Sequence, residues 1–75
     1  MSARRYLIII EGNRETNFSA YSPDVPGVAA TGATQADCER EMREAITFHL
    51  EGLARDGEPV PEPHSMASYA VVDVA

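Results

Sequence analysis

One long stretch of the sequence has the periodicity of an amphipathic helix, and it limits the chain to folds built around a single helix. Between Thr34 and Gly57, side chains suited to a core recur at intervals of three and four residues, along one stripe. The stripe comprises Cys38, Met42, Ala45, Ile46, His49, Leu50 and Leu53. Thr34 has the residue type of an N-cap, with Asp37 three residues later, and Gly57 before Pro59 is typical of a helix end. The pattern therefore predicts a helix that ends at Asp56.

Three segments before this helix and one after it have the composition of β-strands. They are Arg5–Glu11, Phe18–Ser22, Val28–Gly32 and Ser68–Val74. Short turns join the first three, which predicts an antiparallel meander. The order β-β-β-α-β indicates an α+β fold in which one helix packs on a small four-stranded sheet.

Such a helix can cover one face of the sheet but not both. A helix is about 10 Å across, whereas four strands are roughly 15–19 Å wide. The first predicted strand is nevertheless apolar on both faces, with Ile8 on one face and Leu7 and Ile9 on the other. Because large exposed apolar surfaces usually mark interfaces, we expect a homo-oligomer, either a dimer or a larger assembly.

The composition narrows the class of protein further. Seventy-five residues suffice for one domain, expected to span 1–75 without a separate DNA-binding domain. The net charge of −6 argues against direct binding of nucleic acid, since that affinity depends on clustered cations. A single cysteine, Cys38, fits a reducing compartment, and no apolar run is long enough to span a bilayer. We therefore expect a cytoplasmic protein without a membrane partner.

Residues that could carry chemistry are present but scattered. The carboxylates that a metal-dependent nuclease would need to bring together lie on different predicted elements. They are Glu11, Asp24, Asp37 and Asp73. His49 fits a core or boundary position, and His64 lies in a proline-rich connector without obvious further ligands. We therefore expect no enzyme activity, no metal site and no cofactor.

The stretch "AYSPDVPGVAATGAT" contains two prolines and a glycine within five residues of a turn. Pro23 and Pro26 fix their own φ angles and favour extended geometry in the residues before them. Gly27 permits a positive φ, and Asp24 is expected to bond nearby backbone amides in an Asx-type turn. A rigid loop loses little entropy on binding, which suits a contact surface. The same residues also suit a stiff turn without a binding role.

This stretch, followed by "AITFHLEGLARDGEPVPEP", resembles the HicB antitoxin family. The resemblance covers Ala20 to Pro63 by these motifs and extends over the flanking strands to nearly the whole chain. It implies a partial ribonuclease H-like fold with a mixed four-stranded sheet. In that fold the last strand lies parallel to the first, reached by a right-handed crossover through the helix.

The resemblance also implies a function. Family members bind and neutralise HicA, a small basic toxin that cleaves messenger RNA, and many carry a C-terminal segment that binds the operon's promoter. No such segment follows the last predicted strand here, so the expectation is a non-catalytic antitoxin. The alternative is an oligomeric scaffold or ligand-binding protein of the same fold without a toxin partner. The expected partner-binding residues form the hairpin: Tyr21, Ser22, Pro23, Asp24, Val25, Pro26 and Gly27.

Overall fold

The computed structural model describes residues 3–75, and in these the chain forms three strands followed by one helix. The elements are β1 (Ile9–Asn13), β2 (Asn17–Tyr21), β3 (Ala29–Gly32) and α1 (Gln35–Arg55). The prediction of an α+β fold with an antiparallel meander and one helix is confirmed.

The three strands form one antiparallel sheet in the order β1-β2-β3. Ala20 in the central strand pairs with Ile10 on one side and Ala30 on the other. The first strand begins at Ile9 and not at the predicted Arg5, because Ile9 lies opposite Tyr21, where β2 ends. The residues immediately before Ile9 therefore have no strand beside them.

The helix begins and ends where its caps predict. The Thr34 hydroxyl oxygen accepts a hydrogen bond from the Asp37 backbone N–H at 3.0 Å. At the other end, Gly57 adopts a φ of +71°, in the left-handed region where glycine carries no steric penalty. The buried face of the helix packs on the sheet and on the β2–β3 loop. The buried apolar residues of this core are Ala20, Val25, Val28, Cys38, Met42 and Ile46.

The predicted fourth strand, Ser68–Val74, is not confirmed. Residues 58–75 contain neither helix nor strand, and the sheet of the described residues has three strands, not four. The segment is exposed along its length, with Tyr69 and Val71 99% and 100% accessible. It has strand composition, but a strand forms only beside a second backbone that supplies hydrogen-bond partners, and the segment pairs with none among the described residues of this chain.

Candidate functional site

The loop between β2 and β3, Ser22–Val28, is folded back against the body of the protein. Val25 is fully buried, and Ser22 and Asp24 are only 4% and 3% accessible. Gly27 has a φ of +85°, as its position in the turn predicts. The predicted partner-binding residues therefore divide into two groups. Ser22, Asp24 and Val25 point inward, whereas Tyr21, Pro23, Pro26 and Gly27 are exposed.

Asp24 connects this loop to a distant part of the chain. One carboxylate oxygen, Oδ2, accepts hydrogen bonds from the backbone N–H groups of His64 and Ser65 at 3.0 and 2.9 Å. The other, Oδ1, accepts a bond from the Ser65 hydroxyl at 2.6 Å and lies 3.2 Å from Nε2 of the His64 ring. We call these three residues the Asp24 clasp. The clasp fastens the connector after the helix to the β2–β3 loop.

The sequence did not predict the clasp. Asp24 was expected to bond amides of its own turn, but its carboxylate instead bonds residues 40 and 41 positions later. The His64 ring is exposed, as expected for a residue of the connector, yet its backbone N–H is held. Nothing near Asp24 or Ser65 in the sequence marks them as partners, because a single buried carboxylate can be satisfied by donors from any segment.

The clasp lowers the pKa of Asp24. The main cause is the hydrogen bond from the Ser65 hydroxyl, followed by the bond from the Ser65 backbone N–H. Both donors favour the ionised form of the carboxyl group over the protonated form. Burial acts in the opposite direction, and the His64 N–H and the charge of the His64 ring add to the lowering. The carboxylate is therefore ionised at neutral pH.

This lowered pKa predicts a loss of stability in acid. Because the folded-state pKa lies below the unfolded value of about 3.9, the ionised carboxylate stabilises the fold fully above that value. The contribution is lost as the pH falls through the folded-state pKa. Urea unfolding measured from pH 6 downward is expected to show a smaller acid-induced decrease for Asp24→Asn than for the wild type. Equal decreases in both proteins would contradict the assignment.

An aspartate, a histidine and a serine lie together here, but they are not arranged as a hydrolytic triad. In a triad the histidine accepts the proton of the serine hydroxyl, and the aspartate orients the histidine. Here the Ser65 hydroxyl donates directly to Asp24 at 2.6 Å, so the carboxylate holds the hydroxyl and the ring does not activate it. His64 and Ser65 both donate hydrogen bonds to the buried carboxylate of Asp24. The geometry is that of a structural anchor.

The connector is also held at a second point, against the N-terminal segment. The Tyr6 hydroxyl donates a hydrogen bond to the Pro61 carbonyl oxygen, and Arg4 donates to the same oxygen at 3.4 Å. Arg4 additionally lies 3.5 Å from Glu62 in an exposed ion pair. The connector is therefore fixed first beside Tyr6 and then at Asp24.

A groove lies between the N-terminal segment and the helix. It has a volume of about 660 Å³ and a largely apolar lining. Ile8 of the N-terminal segment contributes to this lining, as do Ile46 and Leu50 of the helix. Three arginines and two glutamates line it as well. They are Arg4, Arg5, Arg43, Glu39 and Glu51. The groove thus combines an apolar lining with a rim of mixed charge, in which Arg43 lies 3.6 Å from Glu39 and Arg4 lies 3.5 Å from Glu62.

The other candidate residues do not come together. Within residues 3–75, no group of three or more His, Cys, Asp or Glu side chains is placed to hold a metal ion. Cys38 is fully buried beneath the sheet, with its Sγ 3.9 Å from the Ala30 carbonyl oxygen. α1 is the one helix in the described part of the chain, and it lacks the long apolar stretch that a membrane-spanning helix needs.

Comparison with known proteins adds a family and one relative. A family model described as "HicB_like antitoxin of bacterial toxin-antitoxin system" matches residues 6–73. An "Uncharacterized 14.9 kDa protein in rep-hol intergenic region" of Haemophilus phage HP1 (strain HP1c1) is 38% identical over 47 residues. The match covers 63% of this chain and 35% of the phage protein, so the chain spans about a third of that relative's length.

Proposed function

The chain belongs to the HicB_like antitoxin family of bacterial toxin–antitoxin systems, and from this premise we propose that it binds and neutralises a small HicA-type toxin that cleaves messenger RNA. It does so by contact alone, without catalysis and without a cofactor. The observation that carries the proposal is the extent of the family match. Residues 6–73 include the sheet, the helix, the β2–β3 loop and both partners of Asp24.

The charge of the chain supports a basic partner. With twelve acidic and six basic side chains, the protein has a net charge of −6 at neutral pH. Long-range attraction between oppositely charged proteins accelerates their encounter and disfavours partners of the wrong sign. A small basic ribonuclease therefore fits the surface better than an acidic protein does.

The geometry of the β2–β3 loop suggests which of its residues contact the toxin and which fix the shape of the loop. Tyr21, Pro23, Pro26 and Gly27 are exposed and supply the contact surface in this proposal. Ser22, Asp24 and Val25 are buried, so their part is to fix the shape of the loop before the partner arrives. A loop that is already rigid loses less conformational entropy on binding, which increases affinity.

Co-expression with a small basic HicA-type toxin tests the proposal. The two proteins are expected to co-purify, and growth arrest caused by the toxin is expected to be relieved. Tyr21→Arg adds a positive charge to the proposed contact surface and is expected to weaken the complex by about tenfold or more. Phe48→Arg is the matched control, because Phe48 is an exposed aromatic residue on the helix, 75% accessible. The proposal fails if the wild type forms no complex with the toxin. The assignment of the loop as the contact surface fails if Tyr21→Arg binds the toxin as tightly as Phe48→Arg does.

The finer structural and cellular expectations are part of this proposal. They comprise a single domain over 1–75, a cytoplasmic location and a homo-oligomer. A fourth strand that completes a partial ribonuclease H-like sheet also belongs here. The exposed strand-like segment Ser68–Val74 supports the homo-oligomer and the fourth strand. It has apolar side chains but no neighbouring strand within the described residues of its own chain.

The second candidate is a scaffold or ligand-binding protein of the same fold without a toxin. The groove of about 660 Å³ and the exposed apolar segment favour it, because both are suited to association. The two functions differ in one result. A scaffold would assemble with itself and leave the co-expressed HicA-type toxin active, whereas an antitoxin would abolish the toxin's ribonuclease activity.

A further inference from the structure

The last ten residues, Met66–Ala75, project from the body of the protein, and we call them the tail. Their large apolar side chains are exposed: Met66 is 93% accessible, Tyr69 99%, Val71 100%, Val72 69% and Val74 89%. The radius of gyration, 14.6 Å, exceeds the value of about 11 Å expected for a compact chain of this length. The longest dimension of the molecule, 52 Å, is twice the next, 26 Å.

The composition of the tail is that of a strand and not of a disordered segment. Disordered segments are poor in aromatic and β-branched residues, whereas Ser68–Val74 reads "SYAVVDV". Alternate side chains fall on opposite faces, with Tyr69 and Val71 on one and Ala70 and Val72 on the other. Exposed apolar strands of this kind favour pairing with another sheet edge.

The same chain has an edge that matches the tail. β1 pairs only with β2, so its other side is open among the described residues. Together with the unpaired residues before it, the edge runs over Arg5–Glu11, the same length as Ser68–Val74. The groove lies next to this edge, so a strand added beside β1 would place alternate side chains over Ile8 and Ile46.

The tail of a given copy begins at a distance from its own β1 edge. The connector passes Tyr6, on the β1 side of the sheet, and is then fastened to Asp24, in the loop that joins the other two strands. At Ser65 the chain has therefore moved across the end of the sheet, away from the open edge. Pairing within one chain would require a sharp reversal at Met66 or release of the Asp24 clasp.

We propose that the tail of one copy binds as an added strand beside β1 of a second copy, over its groove, and that the exchange is reciprocal. Donor strand and acceptor edge are both present in every chain, so two copies satisfy each other in a closed twofold arrangement. Each copy thereby gains a fourth strand and covers the apolar side chains of its tail.

The groove is less suited to a basic toxin than the rest of the protein surface is. Three of the chain's six arginines line the groove, against two of its twelve acidic residues, although the whole chain is strongly acidic. The tail carries a single charged side chain, Asp73. Two of these arginines are paired with glutamates, Arg43 with Glu39 and Arg4 with Glu62, so the rim is close to neutral. The mostly apolar tail therefore complements the groove better than a strongly basic protein does.

Measurement of the mass in solution, together with amide hydrogen exchange of the full chain, tests the exchange. The wild type is expected to have the mass of two chains, with slow exchange at Ser68–Val74. The double variant Val71→Pro, Val72→Pro removes two adjacent amide donors, one of which must face β1 in any register. We expect its dimer dissociation constant to rise by about tenfold or more, with the tail amides unprotected.

The variant leaves the monomer intact, because both valines are exposed and circular dichroism should show an unchanged fold. Phe48→Asp is the control, since it removes an exposed aromatic residue outside the groove and the tail and should leave the dimer unchanged. A monomeric wild type, a proline variant that still dimerises with the same affinity, or equal weakening by Phe48→Asp would each overturn the proposal.

This inference does not depend on the antitoxin role, and the two can fail separately. Loss of dimerisation in the proline variant with unchanged toxin binding would support the exchange and place the toxin elsewhere. A wild-type dimer with protected tail amides that ignores the toxin would support the exchange and contradict the proposed function.

Discussion

Replacing Asp24 with alanine is expected to release the connector and to lower the urea midpoint of unfolding by about 1–2 M. The substitution removes the acceptor for two backbone N–H groups and one hydroxyl, all within 3.0 Å of the carboxylate. It also leaves a void in a loop where Asp24 is only 3% accessible. Equilibrium unfolding in urea at neutral pH measures the effect, and hydrogen exchange at Ser65 should accelerate.

Asp24→Asn separates the hydrogen bonds from the charge. The amide oxygen can still accept from the two backbone N–H groups, and its NH₂ group can donate to the Ser65 hydroxyl once that hydroxyl rotates. We therefore expect Asn to lose less stability than Ala. Asp56→Asn, at an exposed helix end, should change little. If Asn and Ala are equally destabilising, the charge and not the bonding pattern holds the clasp.

Replacing Gly32 with alanine is expected to lower the free energy of unfolding by about 2–3 kcal/mol. A Cβ atom at Gly32 would lie 2.5 Å from the Cys38 backbone nitrogen and 2.8 Å from its Cα. Both atoms belong to the first turns of α1, so no side chain can move aside to make room. The helix would have to shift away from β3, which would disturb the packing of the buried Met42.

Gly52→Ala provides a matched control with the opposite expected sign. Gly52 lies inside α1, and a Cβ there would meet only the end of the flexible Arg55 side chain, at 3.6 Å. Alanine favours the helix over glycine by about 1 kcal/mol, so this variant should be slightly more stable than the wild type. Urea unfolding of both variants decides the point. A neutral Gly32→Ala would show that the helix and β3 are not in close contact.

Gly32 and Asp24 differ in how far the sequence predicted their roles. Gly32 was predicted to be the last residue of a strand, and it is the last residue of β3, but nothing in the sequence indicates that the helix approaches it so closely. Asp24 lay in a turn motif, and the turn itself is confirmed. Its partners His64 and Ser65 were missed, because a carboxylate reads the same in the sequence whether it bonds its own turn or a segment 41 residues away.

The elements that have local causes could be predicted from the residues alone. The helix stripe, the Thr34 cap and the left-handed Gly57 depend on residues within one or two turns of each other, and all three are present. The meander follows equally from short turns between strands. The donors that satisfy Asp24 and the position of Ser68–Val74 depend instead on how the whole chain folds. A strand needs a partner backbone, and composition cannot say whether that backbone belongs to the same chain or to another.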